Sequence, residues 1–254
     1  MATYKKKSTK ARKQVQIEDH SATAEVFNTL DETASKSEQW LEKNQKTIFI
    51  GLIAVTLIIL GYMAYNKYIL EPKEKEAADE LAFPKEYFEK AQNTAVPVDS
   101  LYTLALNGAN GKYGLVDIVD TYGGTKAGNI AKYMTGISYL KLGEYDKAIE
   151  YLNKFKSEDE ILAALAKGNI GDAFTEINQP EDALKYYLEA ANLRDNEFTS
   201  PLYLFKAGNT AMDMGDYDKA IKIFTRIKED YSKSDEAKMV DIFIQRAKIA
   251  AGKK

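Results

Sequence analysis

The sequence predicts an all-α protein, a single N-terminal transmembrane helix followed by an α-solenoid of helix-turn-helix repeats. Three observations predict it. Thr47 to Tyr65 is a run of 19 residues without a charge. Beyond it, stretches of helix-forming residues recur with turn residues at near-constant intervals. Two of those turns are near copies, GEYDKAI from Gly143 and GDYDKAI from Gly215.

Composition narrows the function classes. A net charge of −3 argues against an electrostatic nucleic-acid binder, which would carry a basic face, and no nucleic acid is expected as a partner. The chain has no cysteine, which removes disulfides, thiolate metal sites and cysteine nucleophiles. His20 is the single histidine, so a histidine metal site or a Ser-His-Asp triad is not expected. Asp and Glu are numerous but sit on helical faces where solvation explains them, Asp117 and Asp120 included. No metal, cofactor or catalytic residue is expected, and the protein is not expected to be an enzyme.

Residues 1–21 form a basic tail, with six Lys/Arg in the stretch YKKKSTKARK. It is expected to be disordered and solvated. Residues 22–46 are expected to form a cytoplasmic amphipathic helix. Its weakly apolar face is set by Phe27, Leu30, Ala34, Ser37 and Leu41 at spacings of three and four.

Residues 47–68 follow as the transmembrane helix. At about 1.5 Å per residue, the uncharged run covers roughly 28 Å, close to a hydrocarbon core of about 30 Å. A signal peptide does not fit. The run begins after 46 residues, and no small-residue cleavage site follows. Trp40 before the run, and Tyr62, Tyr65 and Tyr68 at its far end, suit the two membrane interfaces. Lys and Arg are balanced close to the run, and the basic tail lies far from it. A short N-terminal segment is easier to leave inside than a folded domain, so the N-terminus is expected in the cytoplasm and the C-terminal domain outside.

Residues 69–128 are expected to hold a linker and a degenerate repeat. AADELAFPKEYFEKAQ reads as a helix interrupted near Pro84, with Phe88 and Ala91 echoing later spacings. VPVDSLYTLALNGANGKYG reads as a loop around one short helix or strand. Its glycines lack the spacing of a phosphate-binding loop.

Residues 129–254 carry the repeats and a C-terminal capping helix. Gly136, Gly171 and Gly208 each precede an Ala (Ala148, Ala183, Ala220) by 12 residues, and the glycines lie 35 and 37 apart. The first helix of each pair carries the small residue so that its neighbour can approach. The second helix carries Ala, then a large residue four later (Leu152, Tyr187, Phe224) to fill the gap. Such a pair buries its apolar face only by stacking on others. The last helix, with Ile242, Ile249 and many charges, is expected to close the stack as a solubilising cap.

This pattern resembles the tetratricopeptide repeat (TPR), whose period is about 34 residues. The resemblance covers residues 129–234. It departs from the family at the usual Trp, held here by Lys132, Lys167 and Leu204, and at the closing Pro, held by Glu160, Asp195 and Ser232. It implies that first helices line a concave groove. The facing positions are then Ile130, Tyr133, Ile137 and Leu140, then Leu165, Asp172 and Thr175, then Leu202, Phe205, Asn209 and Met212. The set is apolar with few cations and no Lys/Arg clamp, suited to an extended or partly folded polypeptide.

The layout of cytoplasmic segment, single span and external TPR domain resembles the YfgM family, ancillary subunits of the Sec translocon. The most specific stretch is YGLVDIVDTYGGTKAGNIAKYMTGISYLKLGEYDKAIEYL. The resemblance implies a single-pass protein of the bacterial inner membrane with periplasmic repeats. Its implied partners are Sec translocon subunits, a periplasmic chaperone and secreted polypeptides. The alternative is an envelope-assembly scaffold that holds one dedicated partner.

Overall fold

The computed structural model describes residues 22–93 and 99–252, with side chains from Glu38 onward except Gln39. The expected basic tail, and the amphipathic face from Phe27 to Ser37, lie outside the described side chains. Every regular element among the described residues is helical. The chain divides into two compact units, one ending at Ala64 and one spanning Tyr65–Lys254.

The first unit is built on α1 (Ala22–Tyr65), a continuous helix of 44 residues. Through the uncharged run it exposes its side chains on all faces, Ile50, Ile53, Leu57 and Ile58 among them. A helix apolar all round is stable only where something other than water surrounds it. Among the described residues this is the helix long and apolar enough to cross a membrane. Trp40 and Tyr62 are exposed on it.

The second unit opens with Tyr65 and a π-helical turn, Asn66–Leu70, on which Tyr68 is exposed. Ten helices follow. α2 (Glu71–Gln92) runs through Pro84 without interruption, contrary to the break expected there. Proline inside a helix costs about 3 kcal/mol. Here its ring is buried in the face formed by Ala77, Leu81, Phe88 and Ala91, and that packing outweighs the local cost. α3 (Asp99–Asn107) is a helix, which settles the helix-or-strand alternative of its segment, and α4 (Leu115–Tyr122) follows it. Asp117 accepts from the Gly114 amide at 3.0 Å and caps α4, while Asp120 is exposed.

The repeats then alternate. First helices are α5 (Lys126–Lys141), α7 (Glu160–Glu176) and α9 (Thr199–Asp213). Second helices are α6 (Tyr145–Lys154), α8 (Pro180–Leu193) and α10 (Tyr217–Asp230). α11 (Val240–Ala250) packs on α10. Each helix packs on the next in the chain, and first helices also touch one another, α5 with α7 and α7 with α9. Caps mark the starts: Thr125 accepts from Gly128 N at 2.9 Å, Asp159 from Leu162 N at 2.8 Å, and Asp216 from Lys219 N at 3.2 Å.

The turns between first and second helices need a left-handed residue. Gly143 at φ 76° and Gly215 at φ 77° supply it in the two near-copied turns. Asn178 at φ 57° supplies it in the middle repeat, where the sequence has no glycine.

The apolar interior forms two clusters. One gathers α2–α5 with Leu152 and Phe155 and extends to Ala166 and Ile170 of α7. The other runs from Ala164 of α7 to Ala247 of α11. Helix α7 contributes to both, and Phe174 packs against both.

A candidate protein-binding groove

The site is built by the first helices. The expected close approach of paired helices is present in each repeat. A Cβ placed on Gly136 would meet Leu152, one on Gly171 would meet Tyr187, and one on Gly208 would meet Phe224. Those three large residues are the ones the spacing selected. Seating them sets the rotation of each first helix, and so decides which side chains face outward.

On α5, Ile137 is buried, Tyr133 and Leu140 are half-buried, and Ile130 is exposed. Tyr133 packs its ring 5.2 Å from that of Phe155, and Asn169 of α7 lines the same groove. Burial pushes its phenol above the usual tyrosine range. Tyr133, Ile137 and Lys141 form one wall of an open groove of about 510 Å³. Asn169, with Ala91 and Gln92 of α2 and Tyr102 of α3, completes it. Thus helices that precede the repeats in sequence help to shape this groove.

On α7, Leu165 and Asp172 are half-buried and Thr175 is exposed. Asp172 is engaged within the protein. It accepts from the Tyr187 hydroxyl at 2.7 Å and from Lys206 Nζ at 2.6 and 2.9 Å. The Thr175 hydroxyl lies 3.1 Å from the Tyr187 hydroxyl. Tyr187 and Tyr203 stack with ring centroids 6.4 Å apart, and Lys206 lies over both rings. Burial, reinforced by the Asp172 charge, holds both phenols far above the ordinary tyrosine value.

On α9, Leu202, Phe205, Asn209 and Met212 are all half-buried. Phe205 sits 5.9 Å from Phe224 and 4.9 Å from Phe243, in an aromatic trio that ties α9 to α10 and α11. Leu202 and Met212 pack against the second cluster.

The expected positions therefore share a register but differ in role. Tyr133 and Ile137 line the groove, Asp172 bridges repeats, and Phe205 packs between helices. Sequence reasoning missed Gln92, Tyr102, Lys141, Asn169 and Lys206. Asn169 and Lys206 each stand two residues before a repeat glycine, so the period itself held that signal. Gln92 and Tyr102 come from a segment without the period and left no such trace. Lys206 also supplies a cation where few were expected, though Asp172 accepts from its ammonium. Among the described residues, no group of three or more His, Cys, Asp or Glu gathers as a metal site would need.

Residues 133–197 and 203–234 each match a tetratricopeptide-repeat family model. These helical pairs are tetratricopeptide repeats. The chain is also 32% identical over 111 residues to a TPR repeat-containing protein of Methanocaldococcus jannaschii, covering 43% of this chain and 18% of that protein. It thus spans less than a fifth of that relative's length. A crystal structure described as a kinesin light chain of Podosopora anserina with nearly identical TPR-like repeats overlays with a TM-score of 0.47 at 12% identity. That match covers 70% of this chain and 88% of the other, and the likeness is too loose to add to the assignment. TPR repeats are a protein-interaction architecture, and they suggest protein partners.

Proposed function

We propose that this chain is a membrane-anchored TPR scaffold whose first helices hold a polypeptide partner. The observation that carries this reading is the open groove of about 510 Å³. Its lining combines apolar (Ala91, Ile137), aromatic (Tyr102, Tyr133) and polar (Gln92, Lys141, Asn169) residues. Such a mixture suits an extended segment, whose backbone takes the polar groups while side chains take the apolar ones. The wholly exposed apolar stretch of α1 supports the anchor, with Trp40, Tyr62, Tyr65 and Tyr68 at the interfaces.

The resemblance to the YfgM family takes the reading further. The protein sits in the bacterial inner membrane, N-terminus cytoplasmic and repeats periplasmic. There it binds Sec translocon subunits and helps hand secreted polypeptides to a periplasmic chaperone.

Photo-crosslinking in cells from Tyr133, Ile137 and Met212, with mass spectrometry of the adducts, tests both levels. Adducts to translocon subunits, a chaperone or many secretory precursors support the full reading. Adducts to one envelope protein overturn the secretion role and assign an assembly scaffold with a dedicated partner. Adducts only within the chain itself overturn the groove.

A further inference from the structure

Asn169, Lys206 and Phe243 recur every 37 residues, on α7, α9 and α11, and each faces the first helix before it. On α7, Asn169 lines the same groove as Tyr133 of α5. On α9, Lys206 meets Asp172 of α7. On α11, Phe243 meets Phe205 of α9. Two of these contacts are chemically matched, an ion pair and an aromatic edge.

α11 continues that register. Met239, Ile242, Arg246 and Ile249 lie 37 residues after Leu202, Phe205, Asn209 and Met212. α11 closes on Gly252 at φ 69°, as α9 closes on Gly215 at φ 77°. Yet the α9 set is half-buried, while Met239, Ile242 and Ile249 are 44%, 64% and 76% exposed. The opposite face, Val240, Ile244 and Ala247, is buried in the second cluster. α11 is therefore apolar on two opposite sides, which a purely solubilising cap is not. A surface helix with a second apolar stripe marks a contact site.

The spacing of that stripe is 3, 4 and 3 residues, the seam of one helix packed along another. Its charge selects the partner. Arg246 stands in the middle of the stripe, its guanidinium over the Phe243 ring at 5.7 Å. Lys248 flanks it. The one acidic residue of α11, Asp241, is held by Lys228 at 2.6 Å. A second copy of α11, laid antiparallel, would bring two Arg246 side chains together near the centre, and laid parallel would oppose them directly. We propose that this face docks an acidic amphipathic helix of a partner protein, lying where a following first helix would lie. A carboxylate of that helix meets Arg246 as Lys206 meets Asp172, with the signs exchanged. About three turns of seam fall short of the roughly 1,200 Å² that stable complexes bury, so the contact is transient.

The test uses the full chain in phosphatidylcholine nanodiscs and two labelled synthetic peptides of roughly 18 residues, both with Leu at the heptad seam. One carries Glu beside the seam and the other Lys. Fluorescence anisotropy is expected to show saturable, micromolar binding of the Glu peptide. Arg246→Glu weakens it about tenfold or more and shifts preference to the Lys peptide. Ile242→Ser with Ile249→Ser abolishes it. These side chains are exposed, so circular dichroism stays native. Tyr133→Ala leaves it unchanged, which separates this surface from the groove. Equal binding of both peptides, no saturable binding, indifference to Arg246→Glu, or sensitivity to Tyr133→Ala overturns the proposal. So does a dimer in the nanodisc preparation that Ile242→Ser dissolves, since a second copy is then the occupant.

Discussion

Gly171 and Tyr187 are fitted to one another: a Cβ on Gly171 would stand 2.6 Å from Cε1 of the Tyr187 ring. The tyrosine then carries its hydroxyl across to Asp172 at 2.7 Å. One missing methyl thus lets α8 approach α7 and orients the polar network beside it.

Gly171→Ala is expected to destabilise the repeats by about 1–3 kcal/mol through overpacking. Helix propensity alone favours Ala by about 1 kcal/mol, so the sign of the change separates the two effects. Urea unfolding of the full chain in detergent, followed by circular dichroism, reads it. A stabilised variant would mean that Tyr187 has room to move.

Removing Asp172 should cost more than removing Lys206. Asp172→Ala leaves the Tyr187 hydroxyl and the Lys206 ammonium without their acceptor, for a loss of about 1–2 kcal/mol in this half-exposed setting. Lys206→Met leaves Asp172 bonded to Tyr187 and should cost less than about 1 kcal/mol. Equal losses in the same unfolding assay would mean that the ion pair, and not the tyrosine, carries the network.

Stability should fall at high pH. The Tyr102, Tyr133, Tyr187 and Tyr203 phenols are raised above their unfolded value, chiefly by burial. A raised pKa means the folded state holds the proton more tightly. Its contribution is complete below the unfolded value of about 10 and is lost as pH climbs through the folded values. Tyrosinate absorbance near 295 nm should therefore appear together with loss of helicity above about pH 10. Full tyrosine ionisation with helicity intact would contradict that linkage.

Glu74 of α2 accepts from the backbone amides of Lys126 at 2.8 Å and Ala127 at 3.1 Å, at the start of α5. This carboxylate supports Thr125 at the helix end and pins α2 to the repeats. Glu74→Gln should cost about 0.5–1 kcal/mol and speed hydrogen exchange at the Lys126 and Ala127 amides. Unchanged exchange at those two amides would show the contact to be incidental.

Ile58→Arg should release the chain from the membrane fraction. Arginine at the centre of a span costs about 2.5–3.5 kcal/mol on insertion. Carbonate extraction of cell membranes measures it. A wild-type chain that is already extracted would remove the anchor reading altogether.

The repeat was legible because its physics is local and periodic. Gly136, Gly171 and Gly208 announced close crossings, and counting forward selected Leu152, Tyr187 and Phe224, which are the residues seated on them. All three turns, at LGEYDK, NQPEDA and MGDYDK, were equally visible, while the left-handed backbone of Asn178 was not, because asparagine adopts that conformation without advertising it. Pro84 misled for a related reason. Local sterics favour a break, and only the buried face around it, assembled from distant helices, reverses the balance.

The sequence by itself determined the helical class, the repeat period, the uncharged span-length run and the register of the first helices. These depend on spacings of three, four and about 34 residues along one chain, and such spacings survive without knowledge of any contact. Only the tertiary structure decided what each registered residue does. Tyr133 borders a groove because α2 and α3 fold over beside it, Asp172 is engaged because Lys206 arrives from the next repeat, and Ile242 is bare because α11 turns Val240, Ile244 and Ala247 to the core. Burial and charge pairing are set by neighbours brought together across many residues, and no single stretch of sequence carries that information.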